Sequence, residues 1–273
     1  MKNPTQPPVR LGAWRKALWP GAAVLAVASV LGLGFVLVRA PSQSPAPGAV
    51  AQQHGHAVMA PGYVLASQAL QPQPMPRQAQ FGDETASADA RLIASWALHS
   101  GDHQNRAVVV VDKRDAKVFV FDRDGALQGA TPALMGSAIG DHSVPGVGDK
   151  PVAQVLPEER TTPAGRFVAE VGVNAHGEDV VWVDYDAAVS MHRVRANVKA
   201  ERRLERLASR TAADNRISFG CINLPVSFYE KVLSPLVRGT GAVVYVLPET
   251  QPAAALFGAY DAPGARGLRV DAR

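Results

Sequence analysis

At 273 residues with 47% apolar content, the chain is long enough for one or two domains, and its single cysteine excludes an internal disulfide framework. The net charge of +4, from 28 basic and 24 acidic residues, is modest. No Lys/Arg run interleaved with aromatics occurs, which argues against nucleic acid as a partner.

Residues 17–38 carry no charge, a length that suits a helix crossing the hydrocarbon core of a bilayer. Lys2, Arg10, Arg15 and Lys16 precede this segment and only Arg39 follows closely. That asymmetry predicts a signal-anchor with residues 1–16 in the cytoplasm and the rest outside. The rival is a cleaved signal peptide, whose apolar region is usually shorter. Residues 39–85 are rich in Pro, Gln, Ala and Gly without periodicity and predict a disordered linker. His54 and His56 lie within it with no further ligand near, so they read as solvated linker rather than a metal site.

A short amphipathic helix is predicted over residues 87–99, with Ser87 as N-cap and Leu92, Ile93, Trp96 and Leu98 as its apolar face. From Arg106 the pattern becomes β. The run 107–112 is almost wholly β-branched, residues 117–122 return after a polar turn, and 126–136 follow, together a β-meander. Residues 137–159 form a long Gly/Pro-punctuated loop, of the kind that is usually functional or disordered. Strands are predicted again at 168–173, 179–186 and 188–194, then a charged helix at 197–209 capped by Asn197. After the cysteine, Pro225 suits the first turn of a helix, and 240–247 closes as a strand. The folded region is thus expected at 86–248, with 249–273 a disordered tail.

The stretch from Arg216 to Pro225 holds Cys221. Gly220 before it permits a tight turn that leaves the amides of Gly220 and Cys221 pointing outward, as an oxyanion hole requires. The bland alternative is a buried cysteine ending a strand. A nucleophilic thiol needs a base, and of the seven histidines only His192 sits in an apolar, strand-like context. His192 read alone is equally a satisfied core imidazole.

Thr162-Pro163-Ala164-Gly165-Arg166-Phe167, Met191-His192 and Ser218-Phe219-Gly220-Cys221-Ile222-Asn223 resemble, in that order, the motifs of the YkuD-type L,D-transpeptidases. The resemblance spans roughly residues 107–247. It implies a mainly β catalytic fold of sandwich or barrel type with a few short helices, preceded by the transmembrane helix. It further implies Cys221 as nucleophile and His192 as general base and acid, with Gly220 and Ser218 as oxyanion and supporting groups. Phe219 and Asn223 stand at substrate-binding positions, where the family pattern usually has His and Arg. The implied reaction attacks an L-to-D peptide bond of a peptidoglycan stem, releases D-Ala from a thioacyl-enzyme, and passes the acyl group to an amine of a neighbouring stem. No metal and no organic cofactor is implied. The setting is a bacterial inner membrane, crossed once, with the catalytic domain in the periplasm. Hydrolysis by the same thiol would make an L,D-carboxypeptidase, and a degenerate site would leave a non-catalytic wall-binding scaffold. The cysteine of a sortase sits in a different local context, Thr-Leu-x-Thr-Cys, which is absent.

Overall fold

The computed structural model describes residues 77–263. The apolar segment 17–38, its flanking charges and most of the linker lie outside them. Among the described residues no helix is long and apolar enough to cross a membrane.

The strands are β1 (Ala107–Asp112), β2 (Lys117–Phe121), β3 (Leu127–Pro132), β4 (Met135–Gly136), β5 (Gly165–Val173), β6 (Asp179–Asp184), β7 (Val189–Arg193), β8 (Arg216–Ser218), β9 (Ile222–Leu224) and β10 (Ala242–Val246). The helices are α1 (Ala88–Ser100), α2 (Arg203–Ala208), α3 (Val226–Phe228), α4 (Ser234–Thr240) and α5 (Ala253–Phe257), with a π-helical turn, Tyr229–Leu233, joining α3 to α4. One eight-stranded sheet runs β3-β2-β1-β10-β5-β6-β7-β9, and β4 pairs with β8 in a second, two-stranded sheet.

The expected meander is present as antiparallel β1-β2-β3. What the local pattern did not carry is the parallel pairing of β1 with β10, residues 107 and 242 in register. Parallel neighbours need a long connection, and here that connection contains most of the domain. All six β1 residues are buried because both faces of the sheet are covered. Val109 and Val111 join Tyr229, Leu233 and Val237 on one side. Val108 and Val110 meet α1 and α5 on the other, through Ile93, Trp96 and Ala253. Past β3 the chain turns back, and Leu134 and Asn223 exchange backbone hydrogen bonds of 2.9 and 2.8 Å. The segment following the first edge strand is thereby joined to the last strand, which gives the sheet its barrel-like closure.

Helix α1 starts as its sequence predicts: the Ser87 hydroxyl accepts from the Ala90 amide at 3.0 Å, and Gly101 ends the helix in the left-handed region. Three boundaries differ from expectation. The ordered chain begins before residue 86, since Phe81 is buried with its ring edge-on to Phe119 and Phe121 at 5.3 and 4.9 Å. It continues past 248, because Glu249 and Thr250 are tied to Asp141 and α5 packs on the sheet. Aromatic burial at one end and charged hydrogen bonds at the other supply what composition alone did not show. The charged helix expected at 197–209 is a 3-10 turn, Lys199–Glu201, followed by the six-residue α2. Arg202 between them has φ 49°, a left-handed conformation that interrupts any continuous helix.

Candidate active site

Strand periodicity puts the chemistry on one face. In β7, Val189 and Met191 point into the core, and in β9 Ile222 and Leu224 do the same. Side chains alternate along a strand, so Ser190 and His192, and Cys221 and Asn223, face the other way. β7 and β9 are parallel, with Met191 opposite Ile222 and His192 opposite Asn223. One step back in that register sets Ser190 beside Cys221, and their side chains lie 3.8 Å apart, Oγ to Sγ.

Cys221 is the one free cysteine and keeps partial contact with solvent. Its thiol donates to the Ala188 carbonyl at 3.4 Å. Burial acts to raise the pKa of the thiol, but the neighbouring His192 imidazole and the amide and hydroxyl of Ser190 outweigh it. The thiol is therefore held below its ordinary value. The Nδ1 atom of His192 lies 2.7 Å from the Arg193 carbonyl oxygen. A carbonyl only accepts, so Nδ1 carries the proton of the neutral ring and Nε2 is left as the base. His192 and Cys221 line the same two cavities.

The turn before Cys221 is held from inside. Ser218 Oγ donates to the Cys221 carbonyl at 2.6 Å and accepts from the Gly220 amide at 3.1 Å. This corrects the expectation of two outward amides: the Gly220 N–H is consumed within the turn, and the Cys221 amide is the donor left beside the thiol. Gly220 has φ +132°, and a Cβ there would sit 2.8 Å from the Thr161 carbonyl oxygen, so only glycine fits. Thr162, fully buried, donates its hydroxyl to the Gly220 carbonyl at 2.8 Å and accepts from the Gly136 amide at 2.9 Å. The threonine of the Thr-Pro motif is therefore a brace for the turn before Cys221.

Phe219 and Asn223 both line the cleft at Cys221, and each is engaged by an arginine. The Phe219 ring, 38% exposed, lies under the Arg160 guanidinium at 4.1 Å from its centroid. Arg160 also donates to the Val155 carbonyl through Nε and Nη2. The phenyl group thus pins the end of the long loop against the cleft. Asn223 is buried; its Nδ2 donates to the Cys221 carbonyl at 3.2 Å and its Oδ1 accepts from Arg203 Nη1 at 2.7 Å.

Two cavities meet at Cys221 and His192. One, of about 390 Å³, is walled by Asp149, His176, Trp182, Tyr185 and Asp186. The other, of about 380 Å³, is walled by Val155, Val198, Glu201, Arg203, Phe219 and Asn223. Val152 and Arg195 border both. The segments 137–160 and 193–217, which flank the motifs in the chain, both line the cleft. Ser190, Ala188, Arg195 and Arg203 went unremarked in the sequence. Ser190 was findable, standing two residues before His192 on the same strand face; the arginines were not, since nothing local marks them. Among the described residues no group of three or more His, Cys, Asp or Glu side chains is arranged to hold a metal ion.

No protein-family model and no curated protein sequence matches the chain. Solved structures that resemble it include the helical cell shape determining protein Pgp2 from Campylobacter jejuni, at 17% identity and a TM-score of 0.37 over 54% of this chain. The chain spans about half of the Pgp2 chain, 49%. The catalytic domain of the E. faecium L,D-transpeptidase resembles it at 18% identity and a TM-score of 0.31, over 52% of this chain and 98% of that domain. An L,D-transpeptidase from Mycobacterium smegmatis does so at 20% identity and a TM-score of 0.29, over 52% of this chain and 58% of its own. At such values no residue's role is carried over from these structures.

Proposed function

We propose that this chain is a cysteine acyltransferase of the L,D-transpeptidase type, acting on peptidoglycan stem peptides in the periplasm from an N-terminal membrane anchor. One observation carries the reading: the only cysteine lines the same two cavities as His192, whose Nδ1 is fixed by the Arg193 carbonyl. That is the arrangement of an activated nucleophile and its oriented base. The motif resemblance supplies the substrate class.

In the first half-reaction the thiolate attacks the carbonyl carbon of the scissile peptide bond. The C–S bond forms, the C–N bond breaks, and His192, having taken the thiol proton, gives it to the departing amine. The Cys221 amide stabilises the intermediate oxyanion. In the second, an acceptor amine attacks the thioester, His192 takes its proton, and the thiol is restored. Water in place of the amine gives the carboxypeptidase outcome. The two long segments lining the cleft narrow the approach of a bulky acceptor, which favours this as the second reading.

The test is the full chain in detergent with purified tetrapeptide stems, products read by mass spectrometry. An acyl adduct on Cys221 with loss of D-Ala is expected, a cross-linked product marking transfer and a free tripeptide marking hydrolysis. Stem turnover undiminished in Cys221→Ala would end the assignment.

A further inference from the structure

A peptide cut at its last bond carries its terminal carboxylate one residue from the scissile carbonyl, and adjacent Cα atoms are ~3.8 Å apart. A group reading that carboxylate must therefore stand close to the nucleophile. The motif residues around Cys221 offer no cation: Ser218, Phe219 and Asn223 are neutral. The segment between β7 and β8 brings two guanidinium groups to the cleft instead. Resting on the acyl-transfer reading above, we propose that Arg203 and Arg195 form the subsite for the free terminal carboxylate of the peptide, and so set the preference for substrates with that end unblocked.

Arg203 is held in a fixed plane. Its Nε donates to Glu201 Oε2 at 2.5 Å and its Nη1 to Asn223 Oδ1 at 2.7 Å. Asn223 is itself bonded to the Cys221 carbonyl at 3.2 Å, so a continuous chain of hydrogen bonds ties the guanidinium to the nucleophile. Its Nη2 makes no hydrogen bond to the described residues. Arg195 borders both cavities beside the catalytic pair. One of its terminal nitrogens pairs with Glu178, while its Nε is buried without a partner among the described residues. A buried donor left unpaired is destabilising, a penalty removed when a ligand supplies the acceptor. The second cavity contains both arginines and a single carboxylate, Glu201, which Arg203 already engages. The first contains Asp149 and Asp186. The carboxylate therefore belongs in the second. A guanidinium locked by two bonds and keeping one edge open is pre-shaped for a carboxylate in a way a lysine ammonium is not.

The test uses the full chain in detergent and two stems differing only at the C-terminus, one a free carboxylate and one a carboxamide. Iodoacetamide, which is uncharged and needs no subsite, measures thiol reactivity in parallel. Wild type is expected to prefer the acid stem by about 10–100-fold in kcat/KM, the range for a charge-assisted contact. Arg203→Gln and Arg195→Gln should each cut that preference, mainly through KM on the acid stem, and Arg203→Lys should restore part of it. Variants that lose rate equally on both stems, or on neither, would refute the subsite while leaving the acyltransferase standing. A wild type that is alkylated normally but turns over neither stem would refute the acyltransferase, and the subsite with it.

Discussion

Replacing Thr162 by Val tests whether the Thr-Pro motif works by bracing the nucleophile turn. Valine matches threonine in shape, so the change removes the hydroxyl with little change in packing. Two partners then stand unpaired in the interior: the Gly220 carbonyl, 2.8 Å away, and the Gly136 amide, 2.9 Å away. At about 1–3 kcal/mol for each buried group left unsatisfied, the expected loss is about 2–6 kcal/mol. With a urea m-value of roughly 2 kcal/mol/M, the unfolding midpoint should fall by about 1–3 M. Thr162→Ser keeps the hydroxyl and loses one methyl, which costs about 1 kcal/mol. The carbonyl freed by the valine variant belongs to the residue before Cys221, so its acylation should also slow. Equal midpoints for the valine and serine variants, or a valine variant within about 0.5 kcal/mol of wild type, would refute the brace.

Three further outcomes are expected. The alkylation rate of Cys221 against pH should turn up below the ordinary cysteine value of about 8.5, and His192→Ala should move it upward, because the largest influence opposing burial is then gone and only Ser190 remains. Phe219→Ala should remove about 0.5–1 kcal/mol of stacking on Arg160 and make residues 137–160 cut faster in limited proteolysis, whereas an unchanged cleavage pattern would show that the ring does not pin the loop. Burial raises the pKa of Asp141, but hydrogen bonds from Thr250, Lys113 and the Glu249 and Thr250 amides hold its carboxyl well below the carboxylate range. A depressed folded pKa gives stability that is present above the unfolded value of about 3.9 and lost as pH falls below it. Asp141→Asn should flatten that acid loss in pH-dependent unfolding, and also lower stability at pH 7 by about 3 kcal/mol, since the fully buried Lys113 ammonium loses its 2.9 Å partner.

Much of the strand content was legible because alternation and β-branching are local properties. The first two strands and β10 fall almost where their residues place them. Order in the sheet was not, since β1 meets β10 through contacts between opposite ends of the domain. The candidate pair was chosen by residue type: a lone cysteine, and one histidine in a strand. Its surroundings were less legible. Asn223 reads as a contact position in the chain, but burial turns it into a link between Arg203 and the Cys221 carbonyl. The Gly220 amide reads as free until the Ser218 hydroxyl, two residues back, is seen to take it. Side-chain hydrogen bonds across such short spacings depend on the bend of the turn, which composition does not report.

The pairing of β1 with β10 bears on when the domain can fold. β10 lies between β1 and β5, and its residues 242–246 are the last strand among the described residues. Until they leave the ribosome, β1 and β5 each lack a neighbour, and two rows of apolar valines have nothing to close against. A nascent or truncated chain ending before residue 242 would keep the α1 helix and the β1–β3 hairpins but no continuous core, and no seat for β6, β7 and β9. Long-range parallel pairing of this kind is slow to form and exposes unpaired edges meanwhile. Cys221 thus stays without its oriented imidazole until the final strand arrives, and the thiol's reactivity becomes a readout of completed folding.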